Sequence, residues 1–214
     1  MSSEFKPQMN VLAVGSHPDD IELGCGATLL KHLQRKDNVF VLILTNGNAG
    51  NHPPNYLECL NSLKFLGVPE INIFFGHFED GLLLDNKETV SLIERILIDK
   101  KIDRVYTHDF HDRHQDHRNC SKAVSSAGRI IKEIFLYEGP STETEFEPHY
   151  YISFTKKEMK KKIKALESYQ SQIKKGIVDL EWVESLAKVN GLRNKAPYAE
   201  AFSLNHLTRD GPDV

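Results

Sequence analysis

The sequence predicts a three-layer α/β fold on a mostly parallel sheet, and three observations carry that expectation. Short apolar runs recur as strand candidates, stretches of helical period lie between them, and small turn residues follow the strands. Alternation of this kind implies right-handed crossovers and one open sheet covered by helices, a Rossmann-like three-layer sandwich.

Residues 11–14, Val-Leu-Ala-Val, are the continuous apolar run of a strand buried on both faces, punctuated by Gly15 and Ser16. Asp20 and Glu22 lead into Leu23, Leu29, Leu30 and Leu33, so a helix should begin near Asp20. A second strand is expected at 39–44, a helix at 56–65, a third strand at 71–75 and a helix at 89–98. The aromatic residues Phe74, Phe75 and Phe78 read first as a buried strand end. A fourth strand at 102–107 precedes a helix over 118–131 and a strand at 134–137. The remainder changes character: a Gly139-Pro140-Ser141-Thr142 turn, an acidic stretch through Glu147, a strand near 149–154, then helices. The basic run 156–164 carries Met159 and Ile163, with Leu166 beyond, at helical spacing, which puts its lysines on a solvated face. No repeat or linker divides the chain, so a single domain over 1–214 is expected.

Composition fits a compact enzyme: 40% of the 214 residues are hydrophobic and 27% charged. A net charge of −3 offers no basic field for nucleic acid. No apolar run reaches the roughly 18 residues of a membrane span, and the polar start from Met1 to Lys6 has no signal-peptide core after it. A cytoplasmic, unprocessed protein is expected. Cys25, Cys59 and Cys120 are odd in number and form no Cys-x-x-Cys pair, as expected of reduced thiols buried as small hydrophobes.

Two clusters carry chemistry. The first strand ends in His17, Pro18, Asp19 and Asp20, where Pro18 restricts the turn, and ligands of open α/β sheets bind at such strand ends. The cluster reads as half of a metal site or as the acidic first turn of a helix. The strand at 102–107 is followed by His108, Asp109, His111, Asp112, His114, Asp116 and His117, four histidines and three aspartates within ten residues. Imidazole and carboxylate are the ligands that zinc and related ions take from proteins.

His17-Pro18-Asp19-Asp20-x-Glu22 paired with His114-x-Asp116-His117 resembles the PIG-L/LmbE-like family of zinc-dependent N-deacetylases. The resemblance extends to Thr45-Asn46-Gly47, Leu66-Gly67-Val68, Ser171-Gln172 and Ala199-Glu200-Ala201-Phe202. It implies one Zn2+ per chain on His17, Asp20 and His117, a set that iron, cobalt or nickel could also use. The open position would take the water that attacks the amide carbonyl of an N-acetylated sugar, such as N-acetylglucosamine or a conjugate. Asp19 would be the general base, and protonated His114 would stabilise the oxyanion. Asp116, two residues from His114, would orient it and keep it cationic. Many relatives carry an arginine that contacts substrate where this chain has Asn55, three residues before Glu58. Homo-oligomers are common among relatives. Two other readings stand beside this one. A two-metal phosphoesterase would use the surplus His108, Asp109, His111 and Asp112. A sugar-binding protein would have kept the fold without the chemistry, although it would have no use for a base such as Asp19.

Overall fold

The computed structural model describes residues 8–47 and 55–208, so the polar start at 1–6 lies outside the described residues. Seven strands form one sheet: β1 (Asn10–Gly15), β2 (Asn38–Thr45), β3 (Ile73–Phe78), β4 (Arg104–His108), β5 (Glu133–Tyr137), β6 (Tyr150–Phe154) and β7 (Tyr198–Leu207). Their order is β3-β2-β1-β4-β5-β7-β6. The first five are parallel, and β7 runs antiparallel to both of its neighbours. The helices are α1 (Asp20–Gln34), α2 (Tyr56–Leu66), α3 (Lys87–Asp99), α4 (Gln115–Ala127), α5 (Lys156–Leu166), α6 (Gln170–Lys174) and α7 (Leu180–Arg193).

Strand β1 shows why the sheet is a three-layer core. Val11 and Ala13 pack on the side of α1, α2, α5 and α7, while Leu12 and Val14 pack on the side of α3 and α4. Both faces are therefore dry, as a strand apolar at every position requires. The chain order reverses at β1, which pairs with β2 on one side and β4 on the other. That switch point leaves a crevice beyond the strand ends. The segments after β1 and β4 are the two histidine-aspartate clusters, so the topology sets them side by side.

Three sequence expectations need correction. Helix α4 begins at Gln115 rather than near residue 118, so Asp116 and His117 lie in its first turn. The last strand, β7, was not anticipated; Ala199, Glu200, Ala201 and Ser203 dilute its apolar alternation, yet it is buried between β5 and β6. The lysines of α5 do not all face solvent. Lys162 is buried, with its Nζ 2.7 Å from the Leu23 carbonyl oxygen and 2.7 Å from Glu200 Oε1.

That pair sits at a break in α1. Cys25 has non-helical angles (φ −139°, ψ 18°), which separates the turn Asp20–Gly24 from the rest of the helix. A broken helix orphans carbonyls before the break and amides after it. Lys162 donates to Leu23 O, and the Glu200 carboxylate accepts from Ala27 N (2.9 Å) and Thr28 N (2.7 Å). Gly24 lets this turn press on Tyr137, whose ring a Cβ would strike. The Tyr137 hydroxyl donates to Val14 O at 3.0 Å. The turn that carries Asp20 is therefore held by contacts from α5, β5 and β7. Cys25, Cys59 and Cys120 are free and buried, and no helix among the described residues is long and apolar enough to cross a membrane.

Candidate metal centre

Among the described residues three overlapping groups each bring one possible ligand atom per residue within 4.8 Å of the others: His17–His114–His117, Asp20–His108–His117 and His17–Asp80–Asp116. Where they overlap, His17 Nδ1 is 3.2 Å from His117 Nε2 and 3.3 Å from Asp20 Oδ2, and His117 Nε2 is 3.3 Å from Asp20 Oδ1. A tetrahedral ion bound at about 2.0–2.2 Å holds its ligands about 3.3–3.6 Å apart, a range these pairwise spacings approach, with the Asp20 carboxylate facing His17 through one oxygen and His117 through the other. All three residues line an open cleft of about 440 Å³. His108 does not line it; its Nε2 accepts the Ser16 N–H at 3.1 Å, behind the triangle.

Each imidazole is fixed from its far side. His117 Nδ1 lies 3.1 Å from Asp112 Oδ2 and 3.2 Å from Ser141 Oγ. His17 Nε2 lies 3.2 Å from Asp116 Oδ2 and 3.1 Å from Asp80 Oδ1. A carboxylate on the outer nitrogen fixes tautomer and ring orientation, leaving the inner nitrogen free for an ion. Burial pulls His117 down, but Asp20 and Asp112 outweigh it and hold it up at about 9. Burial likewise opposes a charge on His17, and Asp20, Asp116 and Asp80 prevail. Asp20 is pushed up by burial yet held well below the usual carboxylate range by His117, His108 and His17. Asp112 is held at about 2 by His117 against its burial, whereas burial and His117 push His108 down to about 4.

Asp19 differs from its neighbours. It is buried, caps no backbone N–H of α1, and has φ 101°, which a residue with a Cβ adopts only under strain. Burial and the adjacent Asp20 raise its carboxyl well above the usual range. Strain at a cleft-lining carboxyl is a mark of a functional position.

His114 and Asp116 depart from the expected pairing. The Asp116 carboxylate turns to His17 and accepts from Gly81 N (2.7 Å) and Leu83 N (3.3 Å), so it does not orient His114. His114 is the N-cap of α4, its Nδ1 accepting the Asp116 N–H at 3.2 Å. An accepting Nδ1 puts the ring proton on Nε2 and makes His114 a neutral donor rather than a cation. Burial, His17 and His117 also lower its pKa.

Of the surplus residues, His108 shares Asp20 and His117 with the triangle, its Nε2 3.1 Å from Asp20 Oδ2, and Asp109, His111 and Asp112 join no candidate group among the described residues. His111 is exposed, and Asp109 accepts from the His111 N–H and from Ser203 Oγ. Asp112 is taken by His117, Ser141, Thr142 and the His114 N–H. Sequence reasoning missed Asp80, and it missed Asp112 and Asp116 as the partners of the two imidazoles. Closeness in sequence pointed only to Asp112 beside His117; Asp80 and Asp116 reach His17 across the fold.

The PIG-L family model, GlcNAc-PI de-N-acetylase, matches residues 12–128, which span both clusters. The chain is 36% identical over 177 residues to the uncharacterized deacetylase YaiS of Escherichia coli K12, covering 79% of this chain and 95% of that one. In structure it resembles an N,N'-diacetylchitobiose deacetylase from Pyrococcus horikoshii (TM-score 0.80, 22% identity, 94% and 85% of the two chains). It also resembles GalB, a 4-carboxy-2-hydroxymuconate hydratase from Pseudomonas putida KT2440 (TM-score 0.80, 16% identity, 96% and 100%). Identities this low speak for the fold alone, and the fold carries more than one reaction. With the family model matching more than half of the chain and YaiS matching along nearly its whole length, this chain belongs to the PIG-L de-N-acetylase family.

Proposed function

We propose that the protein is a metal-dependent hydrolase that removes the N-acetyl group of an amino sugar or amino-sugar conjugate. The observation that carries the reading is the strained, buried Asp19 beside two imidazole nitrogens and the Asp20 carboxylate, all 3.2–3.3 Å apart on one open cleft. His17 Nδ1, the Asp20 carboxylate and His117 Nε2 would hold one divalent ion, for which zinc fits the donor set. When bound, that ion would supply Lewis acidity to a water and to the amide carbonyl.

The remaining work belongs to side chains. Asp19 takes a proton from the attacking water, and its raised pKa lets it keep that proton until the C–N bond breaks. The same carboxyl then gives it to the departing amine, so acetate and a free amine leave together. His114 Nε2–H donates to the carbonyl oxygen as it gains charge, a contact worth more in the transition state than in the ground state. Asp112 and Asp116 hold the two imidazoles in register. One sheet takes strands from residue 10 to residue 207, which supports a single deacetylase domain over 1–214. The free thiols support a cytoplasmic setting.

Chelation should abolish acetate release and readdition of one equivalent of zinc should restore it, because the sheet core does not depend on the ion. His117→Ala should do the same irreversibly. A variant that kept a full equivalent of metal and normal turnover would refute the ligand assignment. For His114 the informative change is Asn, which caps helices well and preserves the N-terminus of α4. His114→Asn should keep its metal and melting temperature and lose about 10²–10³ in kcat, the usual cost of one oxyanion donor. Unchanged kcat would remove His114 from the mechanism.

A further inference from the structure

We infer that the cleft selects electrically neutral N-acetylated glycosides and discriminates against substrates carrying phosphate next to the acetamido sugar. The inference rests on the deacetylase reading and concerns the charge of what that site accepts. Among the described residues that line the cleft, the carboxylates are Asp19, Asp20 and Asp80, and no lysine or arginine is present. Asp116 and Asp112 stand directly behind His17 and His117.

The nearby cations stand outside the lining. Arg113 reaches the carbonyl oxygens of Ser141 (3.4 Å) and Pro140 (3.5 Å), and Arg118 donates to Asp112 O at 2.5 Å. Lys174 and Lys175 are exposed beyond the lining. An anion in the cleft would therefore meet three carboxyl groups and no lysine or arginine among the described lining residues, at an effective dielectric well below that of water.

What the cleft offers instead is neutral. Asn55 and Gln172 contribute amides: Gln172 Nε2 donates to Ser171 Oγ at 2.9 Å, and Asn55 Oδ1 lies 3.4 Å from the same oxygen. Ser171 is fixed in turn by Glu58, which accepts its N–H (2.9 Å) and its hydroxyl (2.5 Å). Amides held from behind match sugar hydroxyls, which both donate and accept. Pro140 and the half-exposed Ile177 supply apolar surface for ring faces.

The test is acetate release by the zinc-loaded full chain from methyl N-acetylglucosaminide and from N-acetylglucosamine 1-phosphate, at low and high salt. The glycoside should be favoured at least about tenfold in kcat/KM at low salt, and the gap should narrow as salt screens the field. Asn55→Arg, which places a cation on the cleft wall, should narrow it at low salt. Equal or better turnover of the phosphate, or a gap indifferent to both salt and Asn55→Arg, would overturn the charge selectivity and leave the deacetylase reading standing. Acetate from neither substrate would overturn that reading and this one with it.

Discussion

Asp19→Asn is expected to abolish turnover, by about 10²–10⁴ in kcat, while the protein keeps its metal and its fold. The substitution is nearly isosteric, and Asn tolerates positive φ as Asp does, so the turn at φ 101° should survive. What is lost is the ability to take a proton, since an amide oxygen is not a base at neutral pH. Asp20→Asn is expected to behave differently, because it removes the anionic corner of the ligand triangle and should lower metal content as well as rate. Measuring zinc stoichiometry and acetate release for both variants separates the roles. Metal lost from Asp19→Asn and kept by Asp20→Asn would exchange them, and full activity in both would remove the mechanism. The strain gives a second readout: Asp19→Gly should be more stable than Asp19→Ala by about 1 kcal/mol, since only glycine occupies this region without penalty. Both should be inactive.

How much was legible in sequence depended on whether a residue's role is set along the chain or across it. Strands β1, β2, β4 and β5 were legible because strands dry on both faces must be apolar at every position. The two clusters were legible because they follow two strand ends that a parallel sheet brings together, while the choice of His17, Asp20 and His117 within them came from the family resemblance. The start of α4 was not, and the rest of that cluster depended on it. Once the helix begins at Gln115, His114 Nδ1 becomes the cap and the Asp116 carboxylate swings toward His17. A two-residue spacing cannot say to which imidazole a carboxylate turns. Strand β7 was hidden because it opens Tyr-Ala-Glu-Ala, and Glu200 reads as polar until the amides that donate to it are seen. Lys162 did leave a signal. It lies three residues after Met159 and four before Leu166, on the apolar face of α5, where a lysine must find a buried partner.

Lys162→Met is expected to destabilise the fold by about 3–5 kcal/mol, the usual cost of stranding one member of a buried ion pair. Lys162 and Glu200 are 2% and 4% exposed, so little solvent can compensate. The loss should fall first on the turn Asp20–Gly24, because Lys162 satisfies Leu23 O on one side of the break at Cys25 and Glu200 satisfies Ala27 N and Thr28 N on the other. Glu200→Gln should also destabilise, since it leaves the Lys162 ammonium buried without its counterion. If the pair acts as one unit, Lys162→Met/Glu200→Gln should cost clearly less than the two single changes added together, a coupling that a double-mutant cycle in urea measures directly. Additive losses would mean that the two residues act independently, and a loss below about 1 kcal/mol for Lys162→Met would mean that the pair contributes little to stability. Asp20 rides on the turn this pair holds, so zinc affinity of the folded variants should fall along with stability. Unchanged affinity at full loss of stability would show that Tyr137 and the strand end suffice to position the ligand.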